Sequence, residues 1–493
     1  MGPVCASVGM TDLASRYPRL MPPPLDRRLF VLFITLQIIV AIAAFYLPSK
    51  LFAIAALGIG AGLYLVGVLM WPWIIVPAVV VTTALDITGQ LIKETGIGIP
   101  VTGFHLSLML MTIGIFTNTC LRRRFTFPTF ELKAPLFLLW GTMAFSLTYT
   151  PALAEGTVGV MRTLALMAFL YGTQVMIDTR RAVNLVVISM AAAMIGGAIL
   201  AVAQIMSEKF YLPASFVIAV GANAPRATGT FHNPNTFGTF LMCGVVFLFA
   251  LLVNHRFRKW QAVYLLASLA AAGAGLITTF SRSNWVAAAI GIVAAMIYAR
   301  KFRYLLWVGL GGFAAIFAVK EFVPFADHIF QRFVSIFTLL TDFGDAGRES
   351  GSARLYFIIA GLEMWLDHPI LGAGWRAFPL LFDAYKPVDF PMWVPTKESH
   401  TLAANMLAEL GLVGITASVW IVWRVLRRGI ETVGQTADPY LRAVLIALLC
   451  VFLSFQVSLS ATADFSNNFL WFFTGMIFAV IHLSERETAA ASG

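Results

Sequence analysis

The stretch TFGTFLMCGVVFLFALLV (residues 236–253) contains no charged side chain, and the six residues that follow it, NHRFRK (254–259), contain three basic ones. An α-helix needs about 20 predominantly apolar residues to cross the hydrocarbon core of a bilayer. Residues 236–253 come close to that length. The stretch therefore predicts a membrane-spanning helix that ends in a basic loop.

The same pattern recurs along the chain. Further apolar runs lie near 29–47, 51–70, 72–88, 101–119, 134–150, 157–177, 182–205, 261–280, 283–299, 303–320, 400–423, 440–460 and 467–483. Hydrophobic residues make up 59% of the 493 residues and charged residues 12%, whereas a soluble domain carries roughly 25% charged residues. Pattern and composition predict an all-α, polytopic integral membrane protein with 12–14 transmembrane helices and one large outer loop.

The basic residues predict how the chain is oriented. They cluster in alternate loops, at 122–124, 180–181, 256–259, 300–303 and 424–428, whereas the other short loops hold little beyond Lys50 and Lys93. Loops rich in Lys and Arg lie on the cytoplasmic side. We therefore expect both termini in the cytoplasm. The net charge of +10 follows from this bias and does not indicate a nucleic acid partner.

The hydropathy pattern divides the chain into four segments. We expect a cytoplasmic N-terminal segment (1–28), N-terminal transmembrane helices (29–205), a region with long outer loops (206–415), and C-terminal transmembrane helices with a short cytoplasmic tail (416–493). The two outer segments 206–235 and 321–399 are longer than a connection requires, and loops of more than about 15 residues are usually functional or disordered. Within the large loop 321–399, residues 353–366 predict an interfacial helix that ends at Asp367-His368-Pro369.

The sequence predicts no metal site and no cofactor. The four cysteines are scattered, the acidic residues of the large loop lack metal-ligand spacing, and no glycine-rich nucleotide motif occurs.

Two arginines on the outer side are candidates for chemistry. Arg282 lies between two apolar runs with almost no loop, where a charge is costly unless it has a partner or faces a wet cavity. The alternative is an arginine that snorkels to the interface. Arg226 opens the turn-rich stretch RATGTFHNPN (226–235), in which Asn233 and Asn235 precede a helix whose N-terminus favours anions. The alternative is an ordinary capped loop.

Two further candidates lie where the large loop ends. His400 follows Glu398 at the start of a helix, and an imidazole at the membrane surface can act as a base near neutral pH. The alternative is a structural histidine. Glu409 lies further along the same helix, either as a proton-relay acid or as the partner of an arginine.

An ordered set of motifs resembles a known family. The set comprises RATGTFHNPN (226–235), SRSNW (281–285), GSAR (351–354), DHPILGAG (367–374), and His400 followed by ELGLVG (409–414). It resembles the O-antigen ligase and O-antigen polymerase superfamily of bacterial envelope glycosyltransferases over roughly residues 200–415. Many members have Asn directly after the histidine, whereas here Thr401 follows and the next asparagine is Asn405.

The resemblance implies the transfer of a glycan from a polyprenyl diphosphate, such as undecaprenyl diphosphate, to an acceptor hydroxyl without a metal ion. The reaction would take place on the periplasmic face of the cell inner membrane. By resemblance, the catalytic base is His400, the diphosphate contacts are Arg282 and Arg354, and Arg226 is a further substrate contact. Beside these roles, Asn233 and Asn235 are candidate substrate contacts, and Glu398 and Glu409 are candidate supporting residues.

The chemistry agrees with these roles. A diphosphate leaves as an anion, so the site needs one base and preorganised cations, and arginine binds phosphate oxygens in a bidentate way. Inversion at the anomeric carbon is expected. A glycosidase would need two flanking carboxylates, and no such pair is evident.

Several functions stay open. Within the family, we favour ligation of polysaccharide to lipid A-core, in the assembly of lipopolysaccharide or another surface polysaccharide. The alternatives are polymerisation of O-antigen or exopolysaccharide repeat units and transfer of an O-linked oligosaccharide to protein. The expected partners are the lipid-linked glycan donor, a lipid A-core or glycan acceptor, and the bilayer. From a different class, a polysaccharide or solute transporter would use Glu409.

Overall fold

A computed structural model describes residues 62–84, 103–122, 127–207, 219–220, 224–231, 233–301, 350–387, 401–460 and 465–492, together with positions 60, 303, 309, 329–331, 333, 334, 336 and 462. The apolar run 29–47 and most of the run 303–320 lie outside the described residues. So do His400, Glu398 and the side chain of Arg354.

The described part of the chain is almost entirely helical. Its helices are α1 (Ile75–Ala84), α2 (Gly103–Arg122), α3 (Lys133–Ser146), α4 (Leu153–Met176), α5 (Arg180–Met206), α6 (Pro234–Asn254), α7 (Lys259–Thr278), α8 (Arg282–Tyr298), α9 (Ser350–Asp367), α10 (Phe378–Tyr385), α11 (Leu402–Gln435), α12 (Pro439–Leu459) and α13 (Asn468–Ser492). Residues 62–70 are also helical, and a 3-10 turn, Pro72–Ile74, leads into α1. The strands β1 (Ala219–Val220) and β2 (Ala224–Pro225) form a short antiparallel pair.

Eight of the described helices are long and apolar enough to cross a membrane, namely α2, α4, α5, α6, α7, α11, α12 and α13. Helices α1 and α8 are apolar but shorter. The prediction of an all-α, polytopic membrane protein is confirmed. The helix predicted over 353–366 is present as α9, which ends at Asp367 as the sequence indicates. Its place at the membrane interface stays a prediction.

Helices α6, α12 and α13 form the interior of the bundle. Their apolar windows are 78%, 72% and 83% buried, whereas that of α7 is 33% buried and therefore faces outward. Small residues allow the close approach that helix packing in membranes requires. Gly244 of α6 faces Met194 of α5, and Gly291 of α8 faces Ser454 of α12, in both cases without room for a Cβ atom.

Ion pairs tie the helices together at one end of the bundle. Arg428 of α11 contacts Glu131, which precedes α3, and Glu485 of α13, each at 2.7 Å, and Arg180 of α5 pairs with Asp438 before α12. Partial burial favours the neutral form of Glu131, but hydrogen bonds with His482 and Arg428 outweigh it and hold the pKa of Glu131 at about 2. This carboxylate is therefore ionised at any physiological pH.

Helix α11 is broken at Gly411, whose backbone lies at φ 60° and ψ −154°. The loop 368–376, which follows α9, fills the break. The N–H groups of Ala373 and Gly374 donate to the carbonyls of Ala408 and Glu409, at 2.8 and 3.0 Å, and Leu412 N–H donates to Pro369 O at 2.9 Å. Backbone groups freed inside a membrane need such partners because lipid offers none.

Two glycines make this docking possible. A Cβ atom at Gly372, where φ is +70°, would lie 2.3 Å from the carbonyl carbon of Glu409, and one at Gly411 would lie 2.4 Å from Ile370 O. Both neighbours are backbone atoms that cannot rotate away. The two segments therefore approach each other only because neither residue has a side chain.

Gly372→Ala is expected to lower the free energy of unfolding by at least about 2 kcal/mol, because it adds both a clash and an unfavourable φ. The measurement is the thermal unfolding midpoint of the purified protein in detergent. Gly273→Ala in α7 is the matched control, since nothing lies within 4 Å of its Cβ position. It should leave the free energy of unfolding unchanged or raise it by up to about 1 kcal/mol. Equal midpoints for the two variants would show that the loop does not depend on Gly372.

Candidate functional site

Two helix N-termini meet at the end of the bundle opposite the ion pairs. Helix α6 begins after the N-cap Asn233, whose side chain accepts a hydrogen bond from Asn235 N–H at 2.7 Å. Helix α8 begins at Arg282. The Asn284 side-chain amide donates to Asn235 O at 2.9 Å and so joins the first turns of both helices. Each N-terminus carries a partial positive charge, which favours anions.

Asn284 is a residue that sequence reasoning missed. It is fully buried, and its Oδ1 atom accepts hydrogen bonds from Thr239 of α6 at 3.2 Å and Ser458 of α12 at 3.0 Å. Its Nδ2 atom also donates to Ser281 Oγ at 3.0 Å. One amide therefore connects α6, α8 and α12. The available signal was an amide in an apolar run, two residues after Arg282.

Arg226 reaches the same junction from the loop 226–235. Its Nε atom donates to Thr279 O at 2.9 Å, and its Nη2 atom donates to Asn235 Oδ1 at 2.8 Å. Thr279 immediately follows α7, three residues before Arg282. The structure thus brings Arg226, Asn235 and Arg282 to one place.

Gln204 near the end of α5 holds the loop in position, and the sequence gave no signal for it beyond a polar residue ending an apolar run. The residue is fully buried. Its Oε1 atom accepts from the N–H groups of Thr228 and Gly229, at 3.0 and 2.8 Å, and its Nε2 atom donates to Gly229 O at 2.8 Å. Gly229 lies at φ +58°, and a Cβ atom there would be 2.6 Å from the Phe237 ring.

Arg282 is the first residue of α8 and is only 9% exposed. The turn before it is tight, because α7 ends at Thr278 and the intervening Phe280 adopts φ 52°. A non-glycine residue at positive φ costs free energy and is found preferentially at functional sites. The backbone of Arg282 is therefore fixed near the junction by a short, constrained turn.

The Glu409 carboxylate lies on the other side of the site, in α11, and is 1% exposed. Phe378 N–H donates to its Oε1 atom at 3.2 Å, and the Asn405 amide donates to its Oε2 atom at 3.1 Å. The N–H group of Arg376 also donates to this carboxylate. Glu409 therefore caps the first turn of α10 and holds loop 368–376 against α11.

The residues that follow α3 support the same loop. Trp375 N–H donates to Ser146 Oγ, and Thr150 Oγ1 donates to Trp375 O, both at 3.0 Å. The Tyr149 hydroxyl donates to Leu371 O at 2.9 Å. Loop 368–376 is thus fixed from two sides.

His400 immediately precedes Thr401, the N-cap of α11, and Arg354 belongs to the first turns of α9. The described contacts therefore fix α9, which contains Arg354, and α11, whose N-cap follows His400 in the sequence, through loop 368–376. Among the described residues, no group of three His, Cys, Asp or Glu side chains could hold a metal ion. The described junction presents cations and helix N-termini, which suit an anionic ligand.

Residues 263–419 match the family model for O-antigen ligases. This range runs from α7 into α11 and includes Arg282, Arg354, His400 and Glu409. The resemblance inferred from the sequence motifs is confirmed for this part of the chain. Arg226, Asn233 and Asn235 precede the matched residues. No curated protein matches the chain.

Asn284→Leu is expected to lower the free energy of unfolding by about 3 kcal/mol, because it leaves buried polar groups of α6, α8 and α12 without their partner. Asn118→Leu is the matched control. Asn118 is equally buried but donates only to Gly114 O within its own helix, so its loss should cost no more than about 1 kcal/mol. Thermal unfolding in detergent checks both. Equal shifts would mean that Asn284 does not join the three helices.

Proposed function

We propose that this protein is a membrane glycosyltransferase of the O-antigen ligase type. It transfers a glycan from polyprenyl diphosphate to a hydroxyl of lipid A-core or a related surface acceptor. The observation that carries the proposal is the junction of two helix N-termini with Arg226 and Arg282. Arg282 lies in the part of the chain that is similar to O-antigen ligases. Arg226 precedes that part and donates a hydrogen bond to Thr279 O within it.

The mechanism follows from the charges. His400 removes the proton of the acceptor hydroxyl, and the resulting oxygen attacks the anomeric carbon opposite the diphosphate. The carbon–oxygen bond to diphosphate breaks, its electron pair stays on the phosphate oxygen, and the configuration inverts. Arg282, Arg354 and the N-terminus of α8 hold the developing negative charge. Preorganised donors of this kind in a water-poor site contribute several kcal/mol to transition-state stabilisation, on the order of 3 kcal/mol for one donor.

The distribution of charge supports a periplasmic site and cytoplasmic termini. Arg180, Lys301 and Arg428 lie at the end of the bundle opposite Arg282, at the start of α5, after α8 and late in α11. Basic residues mark the cytoplasmic side. The reaction would then take place on the outer face of the inner membrane, where Arg282 and the start of α11 lie.

An apolar cavity supports a lipid-linked donor. Its volume is about 280 Å³, and it lies between α3, α4, α11, α12 and α13. Leu402 and Ala403 line one edge of the cavity and come directly after the segment that contains His400. Leu459 lines another edge and follows Ser458, whose hydroxyl donates to Asn284. The cavity therefore lies between the two halves of the site, where an isoprenoid chain attached to the diphosphate would extend into the membrane.

The rival function, a transporter that uses Glu409 as a proton relay, has less support. A relay acid needs access to water or to a second titratable group, whereas Glu409 is buried and accepts hydrogen bonds from two backbone N–H groups and Asn405. These contacts suit a structural carboxylate. Among the activities of the family, we propose ligation, in keeping with the description of the family model that matches residues 263–419, and polymerisation and transfer to protein are the alternatives.

The test is a gel of envelope polysaccharide from a strain that lacks the gene, complemented with wild type or variants. Bare acceptor with long chains left on the lipid carrier indicates a ligase, and acceptor with one repeat unit indicates a polymerase. His400→Ala and Arg282→Ala should each abolish the product, because one loses the base and the other a diphosphate contact. Glu409→Gln should retain transfer per amount of folded protein.

An unchanged gel pattern in the deletion strain, or full rescue by His400→Ala, would rule out this reaction. If Glu409→Gln alone stopped the movement of a solute while His400→Ala had no effect, the transporter would be correct.

Ser418→Phe is expected to discriminate against long lipid tails. Ser418 lines the cavity, so a phenyl ring there should lower kcat/KM for a full-length polyprenyl donor by about tenfold, equivalent to about 1.4 kcal/mol. A donor with a two- or three-isoprene tail should be unaffected. Leu412→Phe, on an exposed face of α11, is the control. A uniform loss with both donors would argue against a tail in this cavity.

A further inference from the structure

Arg376 occupies a backbone conformation that suits glycine better. Its φ is 65°, and Ala377 N–H donates to Gly374 O at 3.1 Å, which closes the four-residue turn 374–377. A positive φ at the third position of such a turn normally requires Gly or Asn, because a Cβ atom is strained there. An arginine at this position therefore makes the turn less stable than a glycine would.

The surrounding contacts prevent the turn from relaxing. Gly374 N–H is bonded to Glu409 O, Trp375 N–H to Ser146 Oγ, and Phe378 N–H to the Glu409 carboxylate. The Trp375 ring packs against Gly159 of α4 and is only 3% exposed. Backbone on both sides of Arg376 is thus held in place, and the strain is maintained by the fold.

The side chain of Arg376 points out of this rigid frame. It is exposed, whereas Trp375 and Ala377 on either side are buried. Its guanidinium lies 5.5 Å from the centre of the Trp375 ring, which restricts its direction. Among the described residues, no carboxylate lies within 4.0 Å of this guanidinium, although Glu409 interacts with it electrostatically at longer range. An exposed cation is therefore presented at the end of the bundle that carries Arg282.

Exposed apolar side chains accompany this cation. Ile370 and Leu371 precede it in the same loop, Leu380 follows it in α10, and Tyr149 contacts the loop from the end of α3. A cation beside an exposed apolar surface suits an amphiphile with an anionic group.

We propose that Arg376 binds an anionic group, such as a phosphate, of the acceptor glycolipid. This assignment rests on the proposed function. The donor diphosphate has its own cations, Arg226 and Arg282 at the junction of α6, α7 and α8 and Arg354 in the first turns of α9. Arg376 lies beyond the opposite end of α9, in the loop packed on α3, α4 and α11. The two substrates then approach the start of α11 from different sides, as a transfer between two lipid-linked molecules requires.

The test uses the full-length protein in detergent, with lipid A-core as acceptor in two forms, native and phosphatase-treated. Arg376→Gly should unfold at the same temperature as wild type or higher, because glycine relieves the strained φ. It should nevertheless raise KM for the native acceptor about tenfold, leave KM for the donor unchanged, and no longer distinguish the two acceptor forms. Arg376→Lys should fall between wild type and Arg376→Gly in KM.

Arg300→Gly is the matched control. Arg300 is also an exposed arginine at positive φ, 55°, but it follows α8 at the opposite end of the bundle. This substitution should likewise preserve or raise the unfolding temperature and should leave both KM values unchanged.

Three results would overturn the assignment. A lower unfolding temperature for Arg376→Gly with unchanged kinetics would make Arg376 a structural residue that stabilises Trp375. A raised KM for the donor alone would make it a donor contact. Wild type that treats both acceptor forms alike would remove the anionic group from the argument. If wild type transfers no glycan, that result contradicts the proposed function and not the role of Arg376. The binding of the two acceptor forms, measured directly and without donor, then tests the role of Arg376.

Discussion

A backbone that crosses a membrane must form its hydrogen bonds within the protein. This structure depends on how these hydrogen bonds are formed where one helix is interrupted. Helix α11 opens at Gly411, and loop 368–376 supplies partners for the exposed backbone groups. The repair has wide consequences, because the same loop connects α9 to α10 and binds to the end of α3. Glu409 completes it from within α11. The helices that carry Arg354 and follow His400 are therefore held in a fixed relation by one backbone-to-backbone contact.

The arginines at the starts of α6 and α8 are electrostatically unfavourable for these helices. Carboxylates stabilise the first turn of a helix, whereas cations destabilise it, yet α8 begins with Arg282 and Arg226 lies beside the first turn of α6. The fold compensates with buried hydrogen bonds from Gln204 and Asn284, which hold the loop and join the helices. Positive charge that is fixed in this way is relieved when an anion binds. Local conflict of this kind is expected at functional sites rather than in a packed core.

The sequence predicted the helices well because their cause is local. The charge-free run at 236–253 became α6, and Asp367-His368-Pro369 ended α9 as expected. The sequence did not predict the break at Gly411, since residues 400–423 are one apolar run and the cause of the break lies in a loop some 40 positions earlier.

Arg226 and Arg282 were found because charges are rare in apolar surroundings. Gln204 and Asn284 were missed because an amide carries no such signal until its partners are known.

Two non-glycine residues at positive φ flank the site, and burial distinguishes them. Phe280, before α8, is 1% exposed, and burying a phenylalanine side chain contributes about 1.5–3 kcal/mol, more than the roughly 1–2 kcal/mol that a left-handed conformation costs. Its strain is thus offset within the fold. Arg376 is exposed, and its guanidinium lies 5.5 Å from the Trp375 ring and also interacts electrostatically with the Glu409 carboxylate. A cation–π contact at an exposed position is worth about 0.5–1 kcal/mol, which does not exceed the cost of the conformation. The binding of an anionic group that we propose for Arg376 would offset part of this cost.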